Sequence, residues 1–310
     1  MKEYMVIANP VAAHGKAIRS IPEVERQLTI HGLDFDLVQT EHAGHASELA
    51  CQAALSGYKT IVAAGGDGTV NEVLNGLMEA RDSRKKPALG VLCIGRGNDF
   101  SAGVGIPADL SAGCRVLKEN YHRAIDIGRV VGGKYPQGRY FANCVGVGFD
   151  AVGTIEVNKL PRWGGFLSFL IAVLKTIFLY YKGPVVRIDY DKQTLTTPTL
   201  MVSIMNGRRL GSGFQMAPNS QPDDGYFDMC IAHQVSRGRI FTLIPHFIKG
   251  TQGTQPEIQT LRVAKVAITA IEGTLPAQTD GEILCVDGTH LEIELLPRQI
   301  EIICPKETGP

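Results

Sequence analysis

The stretch Gly65-Gly66-Asp67-Gly68-Thr69, followed at once by Val70, Asn71 and Glu72, carries residue types suited to chemistry on phosphate. Three glycines among four positions let backbone N–H groups approach an anion closely and supply the positive φ values a tight turn needs. Asp67 stands among them, and a carboxylate beside phosphates calls for a cation or a proton between the two. Two glycines would read as an ordinary turn, whereas this run reads as a phosphate site. It is neither the Walker loop nor the dinucleotide fingerprint, because the spacing of both motifs is missing here.

The elements around the turn fit that purpose. Ile61 to Ala64 is a short apolar run that predicts a buried strand, and Val70, Val73, Leu74, Leu77 and Met78 recur on one helical face. A strand, a glycine turn and a helix N-terminus in sequence aim unpaired N–H groups and the positive end of the helix dipole at one point. Tyr4 to Ala8, Asp34 to Thr40 and Ala88 to Ile94 are further strand patterns. Between them, a capping-box pattern at Ser20-Ile-Pro-Glu23 opens a helix that Gly32 ends, and Gly44 to Gly57 is another helix. Strands alternating with helices imply a parallel, doubly wound sheet, in which ligands sit at the carboxyl ends of the strands. Asn9, Thr40, the Gly65–Thr69 turn and the Gly95–Asp99 segment all fall there.

After Ala124-Ile-Asp126 the pattern changes to short β-type runs. They are Arg139 to Val145, Val185 to Tyr190, Thr199 to Met205, Tyr226 to Ala232, Val263 to Ile271, Ile283 to Val286, Leu291 to Leu295 and Ile300 to Ile303. This predicts an antiparallel β-sandwich after an N-terminal α/β domain. The boundary falls near residue 126, giving domains 1–126 and 127–310, with the last strands free to pack back on the first. The 310 residues suffice for two cores, and 31 basic residues balance 31 acidic ones, so no global field recruits nucleic acid or anionic lipid. Seven scattered cysteines without a Cys-x-x-Cys argue against zinc and disulfides and for a reducing compartment. The N-terminus runs straight into a strand without a signal peptide, so a cytoplasmic protein is expected.

Gly-Gly-Asp-Gly-Thr resembles the turn of NAD kinases and of the diacylglycerol kinase catalytic-domain family, which includes bacterial lipid kinases and the ceramide and sphingosine kinases. Asn71-Glu72-Val73 favours the lipid group. Gly95-Arg-Gly-Asn-Asp-Phe-Ser101 is similar to that family's Gly-Thr-Gly/Ala-Asn-Asp-Phe/Leu-Ala, with Arg96 in place of threonine. Asn9-Pro-Val-Ala-Ala-His-Gly-Lys-Ala17 is similar to its first loop, with Ala13 replacing a glycine. Phe141-Ala-Asn-Cys-Val-Gly-Val-Gly-Phe-Asp-Ala151, Asn206-Gly207, Ala217-Pro218, Asp223-Asp-Gly-Tyr-Phe-Asp228 and Asp280-Gly-Glu282 extend the resemblance over nearly the whole chain.

The resemblance implies an NAD-kinase-like first domain and an ATP-dependent, Mg²⁺-dependent lipid kinase acting on diacylglycerol or a similar lipid alcohol in the interdomain cleft. Nucleotide positioning falls to Asn9, Pro10, Val11, Ala12, Ala13, Thr40, Gly65, Gly66, Asp67, Gly68, Thr69, Val70, Asn71, Arg96 and Asn98. Asp67, Asp99 and Asp126 look like an acidic network that holds Mg²⁺ through water. Asp224, with the carbonyls of Gln221 and Tyr226, looks like a second-domain Mg²⁺ site. A lipid hydroxyl needs a base, and Asp280 and Glu282 are the candidates. The resemblance favours Asp280 as the base, with Glu282 orienting a metal water or merely solvated. His14, His42 and His45 lie near the nucleotide edge, where surface or capping roles come first.

Phe166 to Lys182 is almost wholly apolar, with Lys175 its one interior charge. At about 25 Å it is short for a membrane span. A core helix is one reading. The other is a helix guarding an acyl-chain site at the membrane surface, with Lys159, Arg162, Trp163, Tyr180 and Tyr181 as interface anchors. The second reading implies peripheral membrane contact, and a homodimer remains open. A soluble NAD-kinase-like enzyme and a non-catalytic nucleotide- or lipid-binding protein are the competing functions.

Overall fold

The computed structural model describes residues 2–82, 86–159, 165–180 and 182–306. Two compact units divide the chain, one of residues 1–126 with 297–310 and the other of residues 127–296. Arg162, Trp163 and Tyr181, three of the expected membrane anchors, lie outside the described residues.

In the first unit, β1 (Tyr4–Ala8), β2 (Phe35–Gln39), β3 (Thr60–Gly65) and β4 (Ala88–Cys93) form a parallel sheet in the order β2-β1-β3-β4. β3 and β4 are buried along their whole length, as strands covered on both faces must be. Around them stand the four-residue turn α1 (Ala12–Gly15), then α2 (Ile21–Ile30), α3 (His45–Ser56), α4 (Asp67–Glu79), α5 (Asp99–Gly103) and α6 (Leu110–Glu119). The expected capping box at Ser20 does not form. Ser20 already has helical φ/ψ after a 3-10 turn, so its hydroxyl does not cap α2, and Glu23 instead accepts from Arg26 and Gln27. α6 was absent from the sequence expectation, although Asp109 before Leu110 caps it by accepting from the Ala112 N–H at 2.8 Å.

The second unit is built from antiparallel strands. In chain order come β5 (His122–Gly132), β6 (Tyr135–Phe141), β7 (Cys144–Gly148), β8 (Val185–Tyr190), β9 (Gln193–Met205), β10 (Phe227–His233), β11 (Ile258–Val263), β12 (Lys265–Glu272), β13 (Leu275–Thr279), β14 (Glu282–Gly288) and β15 (His290–Ile303). β9 serves two sheets: Gln193–Pro198 pair with β8, and the rest of the strand pairs with β7 and β10. The inner faces close on a core that includes Phe141 and Phe227, stacked at 5.5 Å, with Val145, Ile188, Ile204 and Leu284. Three helices join the strands: α7 (Phe149–Lys159), α8 (Gly165–Leu179) and α9 (Arg237–Lys249).

Several sequence expectations change here. The run Arg139 to Val145 is two strands, broken at Ala142-Asn143 where the backbone turns to serve Asp280. The runs Leu291 to Leu295 and Ile300 to Ile303 are one strand, whose last residues belong to the first unit, where Ile302 pairs with Leu89. α7 and α9 were not expected. Their sequences are interrupted by Gly153 and Pro245, which weaken a helical pattern.

Candidate functional site

Loops at the carboxyl ends of β1 to β4 carry the expected nucleotide residues. Gly66 and Gly95 face each other backbone to backbone, and a Cβ on Gly95 would fall 2.2 Å from the Gly66 Cα. A Cβ on Gly65 would fall 2.2 Å from the Thr69 hydroxyl, while one on Gly68 would meet nothing within 4 Å. Close approach therefore demands glycine at Gly65 and Gly95, Gly66 is tight at 3.2 Å, and Gly68 leaves the turn open. Asn9 ties the first loop to the turn: its Nδ2 donates to Thr69 Oγ1 at 3.0 Å, and its Oδ1 accepts the Val11 N–H at 3.0 Å. Pro10 and Ala12 continue that loop, with Val11 exposed. Thr40 is buried and donates its N–H to the Ala8 carbonyl at 2.9 Å. Val70 and Asn71 are buried in the first turns of α4, and the Val70 N–H donates to the Gly66 carbonyl at 3.1 Å, so both build the helix start behind the turn. Arg96 and Asn98 are half-buried on the β4 loop, and Asn98 adopts a left-handed conformation.

Ala13 and His14 also lie in the left-handed region, at φ 50° and 58°, with Gly15 at 81°. A glycine suits the Ala13 position because no Cβ then opposes that conformation.

The acidic network is arranged differently from a direct metal site. Asp67 accepts the Phe100 N–H at 3.0 Å and holds the start of α5. Burial pushes its carboxyl up, and backbone N–H groups of Phe100, Asp99 and Asn98 pull the other way. Asp99 is buried, and the fully buried Asp126 accepts the Arg298 N–H at 2.8 Å. Among the described residues the three aspartates do not gather as a ligand group; the one such group is His42, His45 and Glu48. His42 and His45 stack at 4.6 Å, and His45 Nδ1 accepts the Glu41 N–H at 3.0 Å. That bond puts the ring proton on Nε2, so His45 acts as the capping histidine the sequence suggested, not as a ready ligand.

Asp224 accepts the Tyr226 N–H at 3.1 Å and forms an ion pair with Arg262, whose guanidinium lies 4.5 Å above the Tyr226 ring. Both carboxylate oxygens are thus engaged. In this arrangement the Arg262 guanidinium answers the charge on Asp224 that a cation held with the Gln221 and Tyr226 carbonyls would otherwise answer.

In the second unit, three motifs distant in sequence meet. Thr279 pairs with Glu282 across a two-residue turn whose central residues, Asp280 and Gly281, sit at φ 46° and 87°. This is the primed hairpin for which Asp-Gly is favoured. Asp280 Oδ1 accepts the Asn143 and Cys144 N–H groups at 3.1 and 2.8 Å, and Oδ2 accepts the Ala142 N–H at 3.0 Å. Asn206 donates its side-chain N–H to the Ala142 carbonyl at 2.9 Å, and its backbone N–H reaches Asn143 O at 2.8 Å. Glu282 is held otherwise, by Arg139 at 3.2 Å and the Tyr135 hydroxyl at 3.3 Å. Asp280 is therefore the more rigidly placed of the two carboxylates. It also clamps a loop, a structural task that sequence reasoning did not foresee.

Behind this turn lies an apolar pocket, about 630 Å³ with the solvent at its open mouth included, lined by Phe149, Asp150, Gly153, Val173, Leu200, Met201, Leu210, Phe214, Met216, Ala232, Ile240, Leu243, Ile244 and Phe247. Its one titratable group is the buried Asp150, whose carboxyl burial pushes up to about 6 although Gln278 and Ser203 donate to it. α8 turns Val173 onto this wall, buries Ile177 in the apolar cluster around it and leaves Phe178 and Leu179 exposed, with Phe178 edge-on to Phe241 of α9 at 6.2 Å. Lys175 and Lys159 both pair with the buried Glu156, so Lys159 is tied to α7 rather than available as an interface anchor. Among the described residues, no helix is long and apolar enough to cross a membrane.

Comparison with known proteins covers both units. Residues 3–130 match the diacylglycerol kinase catalytic domain family, and residues 143–304 match the YegS C-terminal NAD kinase beta sandwich-like domain. A diacylglycerol kinase of Bacillus subtilis is 29% identical over 311 residues, covering 99% of this chain and 98% of the relative. A probable lipid kinase YegS-like protein of Chromohalobacter salexigens is 30% identical over 249 residues, covering 78% and 76%. The crystal structure of a putative diacylglycerol kinase from Bacillus anthracis superimposes with a TM-score of 0.78 at 25% identity, covering 98% and 97%. Yeast NADH kinase shares the fold alone, with a TM-score of 0.53 at 10% identity, covering 99% and 84%.

Proposed function

Because the chain belongs to the diacylglycerol kinase catalytic-domain family and is a lipid kinase, we propose that it transfers the γ-phosphate of ATP to the hydroxyl of diacylglycerol or a similar lipid alcohol. The observation that carries the lipid class is the cavity, whose lining is apolar but for Asp150. A dinucleotide would leave phosphates and ribose hydroxyls against that wall without partners, whereas an acyl chain suits it.

The glycine turn fits ATP phosphates: Gly65, Gly66 and Gly95 pack the two loops closely together, Gly68 leaves the start of α4 open to an anion, and Arg96 on the neighbouring loop carries a guanidinium fork. Magnesium would arrive on the nucleotide and neutralise the phosphate charge. Asp280 serves as the base that takes the proton of the lipid hydroxyl, its carboxylate fixed by the Ala142–Cys144 N–H groups. Holding that oxygen in place supplies part of the rate by orientation alone. Exposed Phe178, Leu179 and Phe241 beside the cavity suit contact with a membrane surface from which the lipid is drawn. Purified protein given labelled ATP, magnesium, a panel of lipid alcohols in mixed micelles and NAD should label a lipid. Label recovered only in NADP would overturn the reading.

A further inference from the structure

We infer that Gln278 and Asp150 are positioning residues, which fix the catalytic turn at Asp280 from the wall of the apolar cavity. The inference rests on the reading of Asp280 as the base and names what holds it.

Strand register builds the arrangement. Gln278 of β13 stands opposite Gly146 of β7, and Gly146 stands opposite Ser203 of β9, so the three form a row across neighbouring strands. Side chains in such a row share one face. The middle position has no side chain, and the Asp150 carboxylate occupies the space above it. A Cβ on Gly146 would fall 1.9 Å from Asp150 Oδ1. On either side a donor points inward: Gln278 Nε2 to Oδ1 at 3.1 Å, and Ser203 Oγ to Oδ2 at 3.0 Å. Gln278 and Ser203 are completely buried, and Asp150 is 7% exposed.

The other end of the Gln278 amide reaches the site. Its Oε1 accepts the Gly281 N–H at 2.9 Å, inside the turn that carries Asp280. The two bonds also settle the amide orientation, since a flipped amide would set its NH₂ against the Gly281 N–H and its oxygen against the carboxylate. A continuous path therefore runs from the cavity wall through Asp150 and Gln278 to Gly281. Neither residue is placed to touch the reacting atoms through this path; their effect passes through the turn. Asp280 lies at positive φ, a conformation that a non-glycine residue keeps where surrounding contacts hold it in place. A displacement of Asp280 by about 1 Å is enough to slow transfer by roughly a hundredfold.

The test exchanges the charge along the path. Gln278→Glu keeps an acceptor for Gly281 but sets a carboxylate against Asp150, and Asp150→Asn/Gln278→Glu restores a donor–acceptor pair in reversed sense. Lipid phosphorylation and ATP KM are measured for wild type, the single variant and the pair, well below their thermal midpoints. We expect Gln278→Glu to lower kcat roughly tenfold to a hundredfold with ATP KM unchanged, and the pair to recover to within about threefold of wild type. Recovery of fold and turnover in the pair supports the inference even where the single variant does not fold. A single variant that folds with wild-type kcat, or a pair that folds but stays as slow as the single variant, overturns it. Failure of the wild type to phosphorylate any lipid would instead overturn the functional reading.

Discussion

Replacing Asp280 by asparagine tests the base and the clamp together. The carboxylate receives three backbone N–H groups, two on Oδ1 and one on Oδ2. Asparagine can keep the pair on its oxygen, but its NH₂ then faces the Ala142 N–H, donor against donor. Loss of one charge-assisted bond with the N–H of the buried Ala142 left unmet costs about 1.5–3 kcal/mol. For a unit of this size that lowers the thermal midpoint by roughly 3–12 °C. Loss of the base lowers kcat by about 10²–10⁴. The two effects separate by assay: calorimetry reads the midpoint, and initial rates at saturating ATP and lipid, at least 15 °C or so below that midpoint, read kcat. ATP KM should stay put, because the nucleotide loops belong to the other unit. A variant with normal kcat would refute the base. One with an unaltered midpoint would refute the clamp.

Arg96→Thr should raise the KM for ATP several-fold with kcat on lipid little changed, and an unchanged KM would show that the guanidinium does not meet phosphate. Ala13→Gly should raise the thermal midpoint slightly by relieving a left-handed alanine worth about 1 kcal/mol, and a fall would show that the loop is not strained there. Wild-type melting should be the same in EDTA and in magnesium because Arg262 answers Asp224, whereas Arg262→Ala should make it magnesium-dependent; a magnesium-dependent wild type would show that a cation displaces the arginine. The buried Asp150 carboxyl, raised from 3.8 to about 6, binds its proton more tightly in the folded chain than in the unfolded one. Its contribution therefore favours folding at low pH and is withdrawn as pH climbs from about 4 to 6, by roughly 3 kcal/mol. The stability difference between Asp150→Asn and wild type, from urea denaturation at pH 4 and 7, should change by that order, and a constant difference would contradict the burial argument.

The glycine turn, its strand and its helix were legible in the sequence because each residue's own geometry demands them: glycines where backbones nearly touch, apolar residues at helical spacing behind. The convergence of the loops after Ala8, Gln39, Gly65 and Cys93 followed from the parallel sheet rule, and the strands bear them at those ends. What the sequence could not show is cross-strand. Gln278, Gly146 and Ser203 are neighbours only through register, and Asp150 is seated among them only because Gly146 has no side chain. The break at Ala142-Asn143 was hidden in a continuous β-type run, since the cause is a carboxylate more than a hundred residues away. The helix at Gly165–Leu179 divides the two readings of its sequence: Val173 and Ile177 are core, while Phe178 and Leu179 face out.

Gly153→Leu puts the central claim to its most direct trial. Gly153 lines the cavity on α7, and a Cβ there meets nothing closer than the Thr176 hydroxyl at 4.0 Å, so a Cβ is accommodated and the rest of a leucine side chain takes up acyl space, while helix propensity improves by about 1 kcal/mol. Transfer of label from ATP to long-chain and short-chain diacylglycerols is compared between this variant and wild type. The account predicts a wild type that phosphorylates both, and a variant of equal or higher thermal midpoint with unchanged ATP KM that loses at least about tenfold in kcat/KM for the long chain and much less for the short one. Equal loss for both chains, or no loss for either, would mean that the cavity does not hold the lipid.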